Sequence, residues 1–217
     1  MASMRRDRGI ILLVAVLLVA IVAVGPLFQI TGNVISRAFV YWHVPGGCAI
    51  NLTEGWNLVG FACDRGDNSV TTLLSPIEGR YSSIHTYDPS DPADSWKSYN
   101  PSLPSWVVQD LSIISLTKGY WLYALDNLSF DYNGSVHSPL DIPLARGWSL
   151  ISVSSNNDTN LSVSLPASIT IIYGFNATNK SWYYYRPSDS SGSLSFVSRM
   201  QGYWVNSSEE SNWYIYW

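Results

Sequence analysis

Leu52-Thr53-Glu54-Gly55-Trp56-Asn57-Leu58 and Leu144-Ala145-Arg146-Gly147-Trp148-Ser149-Leu150 are two versions of one phrase, and each is followed downstream by Gly-Tyr-Trp, at Gly119-Tyr120-Trp121 and at Gly202-Tyr203-Trp204. A third shared phrase lies between, Trp96-Lys97-Ser98-Tyr99-Asn100-Pro101 in the first pass and Trp182-Tyr183-Tyr184-Tyr185-Arg186-Pro187 in the second. Three phrases repeated in one order mark a tandem duplication, and two copies of a design show what the fold holds fixed. A glycine directly ahead of a tryptophan fits a tight turn that needs positive φ or close backbone approach, with the tryptophan opening a strand.

Outward from these phrases, Tyr81–Tyr87, Trp96–Tyr99 and Leu128–Tyr132 in copy one, and residues 169–175, 182–185 and 213–217 in copy two, are rich in β-formers and bounded by turn residues. They are predicted strands, as is the stretch from Gly119 to Leu125. Residues 69–77, with Asn68 as N-cap, and 161–165, stopped by Pro166, are predicted short helices. The fold class expected is mainly β: two tandem β-rich repeats, 48–136 and 137–217, each with at most one short helix, plus one N-terminal transmembrane α-helix. Two units this small are expected to stack and enlarge a core that neither builds alone.

The N-terminal element is residues 1–31. Arg5, Arg6 and Arg8 precede a stretch from Gly9 to Ser36 with no charge, and residues 10–30 are apolar apart from Gln29. That is about the ~20 residues a spanning helix needs. The basic flank places the N-terminus in the cytoplasm and the bulk of the chain outside. A cleaved signal peptide is the rival reading, but its one small-x-small site, Ala23-Val24-Gly25, is followed by Pro26. Residues 32–47 read as a stalk or linker closed by Pro45-Gly46-Gly47.

With ten Trp, fourteen Tyr and 13% charged residues, the chain is built to fold. Its net charge of −4 leaves no basic footprint for nucleic acid. Cys48 and Cys63, the two cysteines, are expected to face each other across a hairpin and form one disulfide outside the membrane. Asn-x-Ser/Thr acceptors stand at Asn51, Asn127, Asn133, Asn157, Asn160, Asn176, Asn179 and Asn206, all beyond the apolar segment, which points to an external, glycosylated surface.

The three histidines, His43, His85 and His137, have no metal-ligand spacing, and neither a nucleophile elbow nor a phosphate loop is present. No catalytic residue, cofactor or metal is assigned. The oxygen-rich turn from Asp88 to Asp94 is the one stretch suited to calcium, and Arg65-Gly66-Asp67 reads as a polar turn. Trp56, Trp96, Tyr99, Trp121 and their counterparts Trp148, Trp182, Tyr185 and Trp204 recur in both copies and are expected to be buried packing residues. Tyr183 and Tyr184 stand where copy one has Lys97 and Ser98, so they are expected to be wet. With Trp213 and Trp217, aligned to Leu128 and Tyr132, they form the candidate ligand-binding aromatics.

The Gly-Trp-x-Leu to Gly-Tyr-Trp layout, over residues 52–217, resembles repeats of secreted and S-layer-associated surface proteins of archaea and some bacteria. Copy two departs from it at Phe175-Asn176, where copy one has Tyr87-Asp88. The resemblance implies a surface or adhesive role and no enzyme activity. The basic flank ending in Gly9 and entering an apolar helix is similar to the N-terminus of archaeal type IV pilins and archaellins, which implies cleavage after the glycine and packing into a filament. The function expected is a membrane-anchored extracellular glycoprotein with a structural or adhesive role at the envelope. A pilin-like filament subunit and a carbohydrate-binding surface module are the alternatives. Its partners would be the bilayer through residues 10–30 and other envelope proteins, glycans or copies of itself.

Overall fold

The computed structural model describes residues 40–43, 48–104, 106–138, 140–154 and 158–215. The predicted spanning segment, Asn157 and Trp217 lie outside them. Among the described residues no helix is long and apolar enough to cross a membrane. Phe39–Trp217 form one compact unit that holds both copies.

The chain is mainly β. Copy one runs β2 (Cys48–Leu52), β3 (Gly55–Gly60), helix α1 (Val70–Leu74) with a 3-10 turn at Ser75–Ile77, β4 (Tyr81–Tyr87), β5 (Trp96–Tyr99), β6 (Gly119–Ala124) and β7 (Leu128–Tyr132). A short strand, β1 (Val40–His43), precedes it and pairs with β8 (Ser135–Ser138). Part of the predicted stalk is therefore strand, and the repeat boundary drawn at 136/137 falls inside β8. Copy two runs β9 (Leu140–Leu144), β10 (Gly147–Ser152), β11 (Thr159–Asn160), helix α2 (Leu161–Ser164), β12 (Ile169–Asn176), β13 (Ser181–Arg186), β14 (Ser191–Gly192), β15 (Phe196–Val197), β16 (Gly202–Ser207) and β17 (Ser211–Ile215).

Each copy is a sheet over a two-stranded ribbon. In copy one the sheet order is β3-β6-β4-β5 and the ribbon is β2-β7; in copy two they are β10-β16-β12-β13-β14 and β9-β17. Both sheets carry a bulge at the same place, between Tyr81 and Ser83 and between Ile169 and Ile171. Period-2 alternation explains the layering. In β6, Tyr120, Leu122 and Ala124 are buried while Trp121 and Tyr123 point to the other face. The ribbons close each core from below, with Ile50, Leu52, Phe130 and Tyr132 in copy one and Ile142, Leu144, Trp213 and Ile215 in copy two.

Two expectations change here. Each copy keeps its own core cluster, with Met200 of copy two packed into that of copy one, rather than the two sharing a single core. The two cysteines are joined in a disulfide, with Cα atoms 6.3 Å apart, but not across a paired hairpin, because β2 pairs with β7 and β3 with β6. The bridge ties a ribbon to a sheet. The N-cap of α1 is Ser69 and not Asn68, and no side chain caps the helix; just ahead of it Asp67 accepts from the Ser69 N–H (2.9 Å) and the Thr72 hydroxyl (2.9 Å). Arg65 donates to the Thr72 carbonyl, so the Arg-Gly-Asp turn is held by its own helix.

The shared words now have physical reasons. Gly55 and Gly147 turn the chain at φ +96° and +93°. The buried Tyr120 and Tyr203 accept the backbone N–H of Ser115 (2.7 Å) and Ser198 (2.8 Å), closing the preceding loops. Gly119 and Gly202 sit where the copies touch. A Cβ on Gly119 would lie 2.6 Å from the Ile151 carbonyl oxygen, and one on Gly202 2.8 Å from that of Val59.

Candidate functional site

The copies meet through the faces of their sheets that do not look into the cores. Gly60 N donates to Met200 O (3.1 Å) and Ser152 N to Thr117 O (3.0 Å), at equivalent positions of the two copies. The Ser154 hydroxyl donates to the carbonyl of Ala62, its own counterpart. Leu58 and Leu150 pack against Gly202 and Gly119. The relation is a pseudo-twofold, and the glycines let the backbones close.

Further along the same faces, aromatic rings replace the glycines. Trp121 reaches into copy two, its ring 5.2 Å from Phe175 and 5.7 Å from Trp182. Trp204 reaches into copy one, 5.3 Å from Tyr87 and 5.9 Å from Trp96. Each also meets the Gly-Trp tryptophan of its own copy edge-on, Trp56 at 6.3 Å and Trp148 at 6.2 Å.

The rings line two equivalent, shallow clefts. One, of about 620 Å³, is walled by Trp148, Tyr173, Trp182 and Trp204 and completed by Tyr87 of copy one. The other, of about 420 Å³, is walled by Trp56, His85, Trp96 and Trp121 and completed by Phe175 of copy two. By strand register His85 answers Tyr173 and Tyr87 answers Phe175, so every wall has its counterpart. Burial holds the His85 ring below its usual pKa, against a weaker opposing pull from Asp110, and Nε2 lies 3.0 Å from the Ser83 hydroxyl. Among the described residues no carboxylate or ammonium lines either cleft.

A polar groove adjoins each cleft through the shared ring. At Tyr87 the groove of about 750 Å³ contains Asp88, Lys118, Ser149, Glu210 and Asn212. At Phe175 the groove of about 490 Å³ contains Asn51, Asn57, Asn176, Thr178, Arg199 and Gln201. Asp88 and Lys118 pair at 2.7 Å. That hydrogen bond, helped by Ser90, brings the Asp88 carboxyl down to about 2. Lys97 takes Asp91 (2.7 Å) and Asp94 (3.0 Å). The turn read as a candidate calcium site thus has its carboxylates engaged by lysines. Among the described residues no group of three or more metal-ligating side chains is assembled.

The sequence-predicted aromatics separate. Tyr184 is exposed and extends the cleft rings, 6.2 Å from Tyr173, with the Arg186 guanidinium 5.9 Å from its centroid. Tyr183 points away from the cleft face to the Phe175 groove, accepting from the amides of Asn179 (3.5 Å) and Asn176 (3.1 Å), which, Asn179 foremost, hold its phenol below the usual value. Trp213 is fully buried and offers no ring to a ligand. The predicted strand at 213–217 is β17 at Ser211–Ile215, and register puts Trp213 opposite Ile142 as Phe130 stands opposite Ile50. Its counterpart is therefore Phe130, a core residue, and not Leu128.

The tryptophans expected in the core line the clefts instead. Trp56, Trp96, Trp148 and Trp182 are 41–49% exposed, Trp121 and Trp204 are half-buried, and only Tyr185 of the group is buried. One signal was present in the sequence: adjacent Tyr120 and Trp121 cannot both enter one core, because neighbours on a strand face opposite ways. Of the glycan acceptors, Asn51, Asn127, Asn133, Asn160 and Asn179 are exposed, and Asn176 and Asn206 are partly exposed. No protein-family model, curated protein or solved structure matches the chain.

Proposed function

We propose that the protein is a membrane-anchored extracellular glycoprotein that makes contact at the cell envelope by binding carbohydrate in its two aromatic clefts. The observation that carries this reading is the set of half-exposed tryptophans at two equivalent places, each bordered by a groove of polar and charged side chains. A pyranose has an apolar C–H face and a rim of hydroxyls. The face stacks on indole, and the rim exchanges hydrogen bonds with exposed groove side chains such as Thr178 and Asn212. Aromatic surface left in contact with water marks an interaction site more often than an accident of packing. The anchor is read from residues 10–30 and the external compartment from the disulfide and the glycan acceptors.

The test is a glycan array probed with the full chain in detergent, followed by titration of tryptophan fluorescence. Saturable binding that Trp182→Ala weakens at least tenfold supports the reading. Binding of choline but of no glycan would reassign the clefts to a methylated ammonium, which ring faces also attract. The N-terminal mass of the mature protein separates anchor from filament subunit: a start at Ile10 supports the latter.

A further inference from the structure

The two clefts are neighbours. Trp182, a wall of one, lies 5.7 Å from Trp121, a wall of the other, and Trp121 lies 6.3 Å from Trp56. In the same way Trp96 lies 5.9 Å from Trp204, and Trp204 lies 6.2 Å from Trp148. Two rows of tryptophans therefore cross the boundary between the copies, Trp182-Trp121-Trp56 and Trp96-Trp204-Trp148, and the pseudo-twofold carries one row onto the other. Each cleft takes walls from both rows: Trp182 faces Trp204 and Trp148 in one, and Trp96 faces Trp121 and Trp56 in the other. The copies differ beyond the rows. Register sets Tyr184 beside Tyr173 but Ser98 beside the equivalent His85, and cross-strand partners share a face of the sheet. Tyr184, 37% exposed and 6.2 Å from Tyr173, continues the rings past the copy-two cleft, where Ser98 adds none in copy one.

We propose that the two clefts hold one ligand between them, an uncharged linear oligosaccharide that lies across the boundary between the copies and runs out over Tyr184. This rests on the reading of the clefts as carbohydrate sites. A monosaccharide fills one cleft and draws nothing from the other. A chain with one unit seated presents its next units to the second cleft at an effective concentration on the order of millimolar, so two weak stacking sites combine into one tighter site. The two ends of a saccharide chain are unlike, and the pseudo-twofold offers the clefts to it in opposite senses. Stacking accepts that reversal, because the contact is between ring faces and C–H faces and carries no directed hydrogen bond. Charge is excluded by the walls: among the described residues they hold neither carboxylate nor ammonium, and the Arg186 guanidinium beside Tyr184 is engaged by Asp189 at 3.5 Å. The duplication thereby builds one long site from two short ones.

Chain length tests this with the full protein in detergent. The probes are β-1,4-linked oligomers of glucose and of N-acetylglucosamine, each as disaccharide and hexasaccharide, with the hexamer of galacturonic acid as the charged counterpart. Native mass spectrometry is expected to count up to two disaccharides but a single hexasaccharide per protein. Titration of tryptophan fluorescence is expected to find the hexasaccharide at least tenfold tighter than its disaccharide and at least tenfold tighter than the charged hexamer. Trp56→Ala and Trp182→Ala, one in each cleft, are each expected to bring the hexasaccharide to the affinity of the disaccharide. Tyr184→Ser, the residue copy one carries there, is expected to weaken the hexasaccharide more than the disaccharide. Two hexasaccharides per protein, or equal affinity for the two lengths, would overturn the proposal and leave the clefts as independent carbohydrate sites. Failure of every oligosaccharide to bind would remove the carbohydrate reading itself, and the proposal with it.

Discussion

Tyr87 and Trp204 belong to different copies, and their rings lie 5.3 Å apart across the boundary between them. Phe175 and Trp121 repeat the contact at 5.2 Å. Each cleft therefore exists only because the other copy supplies its last wall, and a single copy would present an open sheet face. Docking of the copies and formation of the clefts are one event.

That coupling makes the glycines at the boundary sensitive. Gly119→Ala and Gly202→Ala each drive a Cβ into a backbone carbonyl that cannot move without shifting the other copy. Each is expected to destabilise by about 1–3 kcal/mol, the usual range for overpacking. Urea denaturation of the two variants is expected to give similar losses.

Gly60 and Ser152 occupy equivalent positions and confront each other, the Ser152 side chain filling the place where a Gly60 Cβ would be. Room exists for one side chain, not two. Gly60→Ser is expected to destabilise, and the exchange with Ser152→Gly to recover the part of the loss due to Ser152, the 2.9 Å approach to the Gln201 carbonyl oxygen remaining. A double-mutant cycle with a coupling energy below about 0.5 kcal/mol would show the sites to be independent.

Tryptophans of the two environments are expected to respond differently. Trp213 is fully buried, and Trp213→Ala is expected to cost about 3–5 kcal/mol. Its indole N–H has no hydrogen-bond partner among the described residues. Trp213→Phe, which installs the residue of copy one, sheds that buried donor and is expected to lie close to the parent. Trp182→Ala, at a ring 49% exposed, is expected to cost less than half of the Trp213→Ala loss. Chemical denaturation of the three variants measures the order.

Acid is expected to weaken the molecule at Asp88. Its folded pKa is about 2, held down first by the Lys118 hydrogen bond and then by Ser90, whereas an unfolded aspartate titrates near ~3.9. Its contribution is therefore complete above about pH 4 and is lost as the pH falls through about 2. Asp88→Asn, the residue copy two carries there, is expected to lower stability at pH 7 by about 1 kcal/mol, since the pair is partly screened by solvent. Melting curves at pH 7 and pH 2.5 are expected to differ less for the variant than for the parent.

Cys48 and Cys63 are both fully buried and close a short loop between ribbon and sheet. Loop entropy alone assigns the bridge about 3 kcal/mol. Alkylation is expected only after reduction in denaturant; free reaction of both thiols in the native protein would show that the bridge is absent.

The sequence by itself determined the duplication, the strands at Tyr81–Tyr87 and Trp96–Tyr99, the turn glycines Gly55 and Gly147, and the cysteine partners. These follow from local chemistry: side-chain period, turn preference, and there being only two thiols. Recurrence of a tryptophan in both copies showed that the position is constrained but not by what. Trp56 is half-exposed and Trp213 buried, and both are aromatic residues on β-strands. Which one meets water depends on how the second face of each sheet is covered. The tertiary structure decided that, because the glycines let the copies close at one end of those faces while the tryptophans hold them apart at the other. Contacts such as Trp121 to Phe175 join residues far apart in the chain, and no local pattern encodes the angle at which two sheets meet.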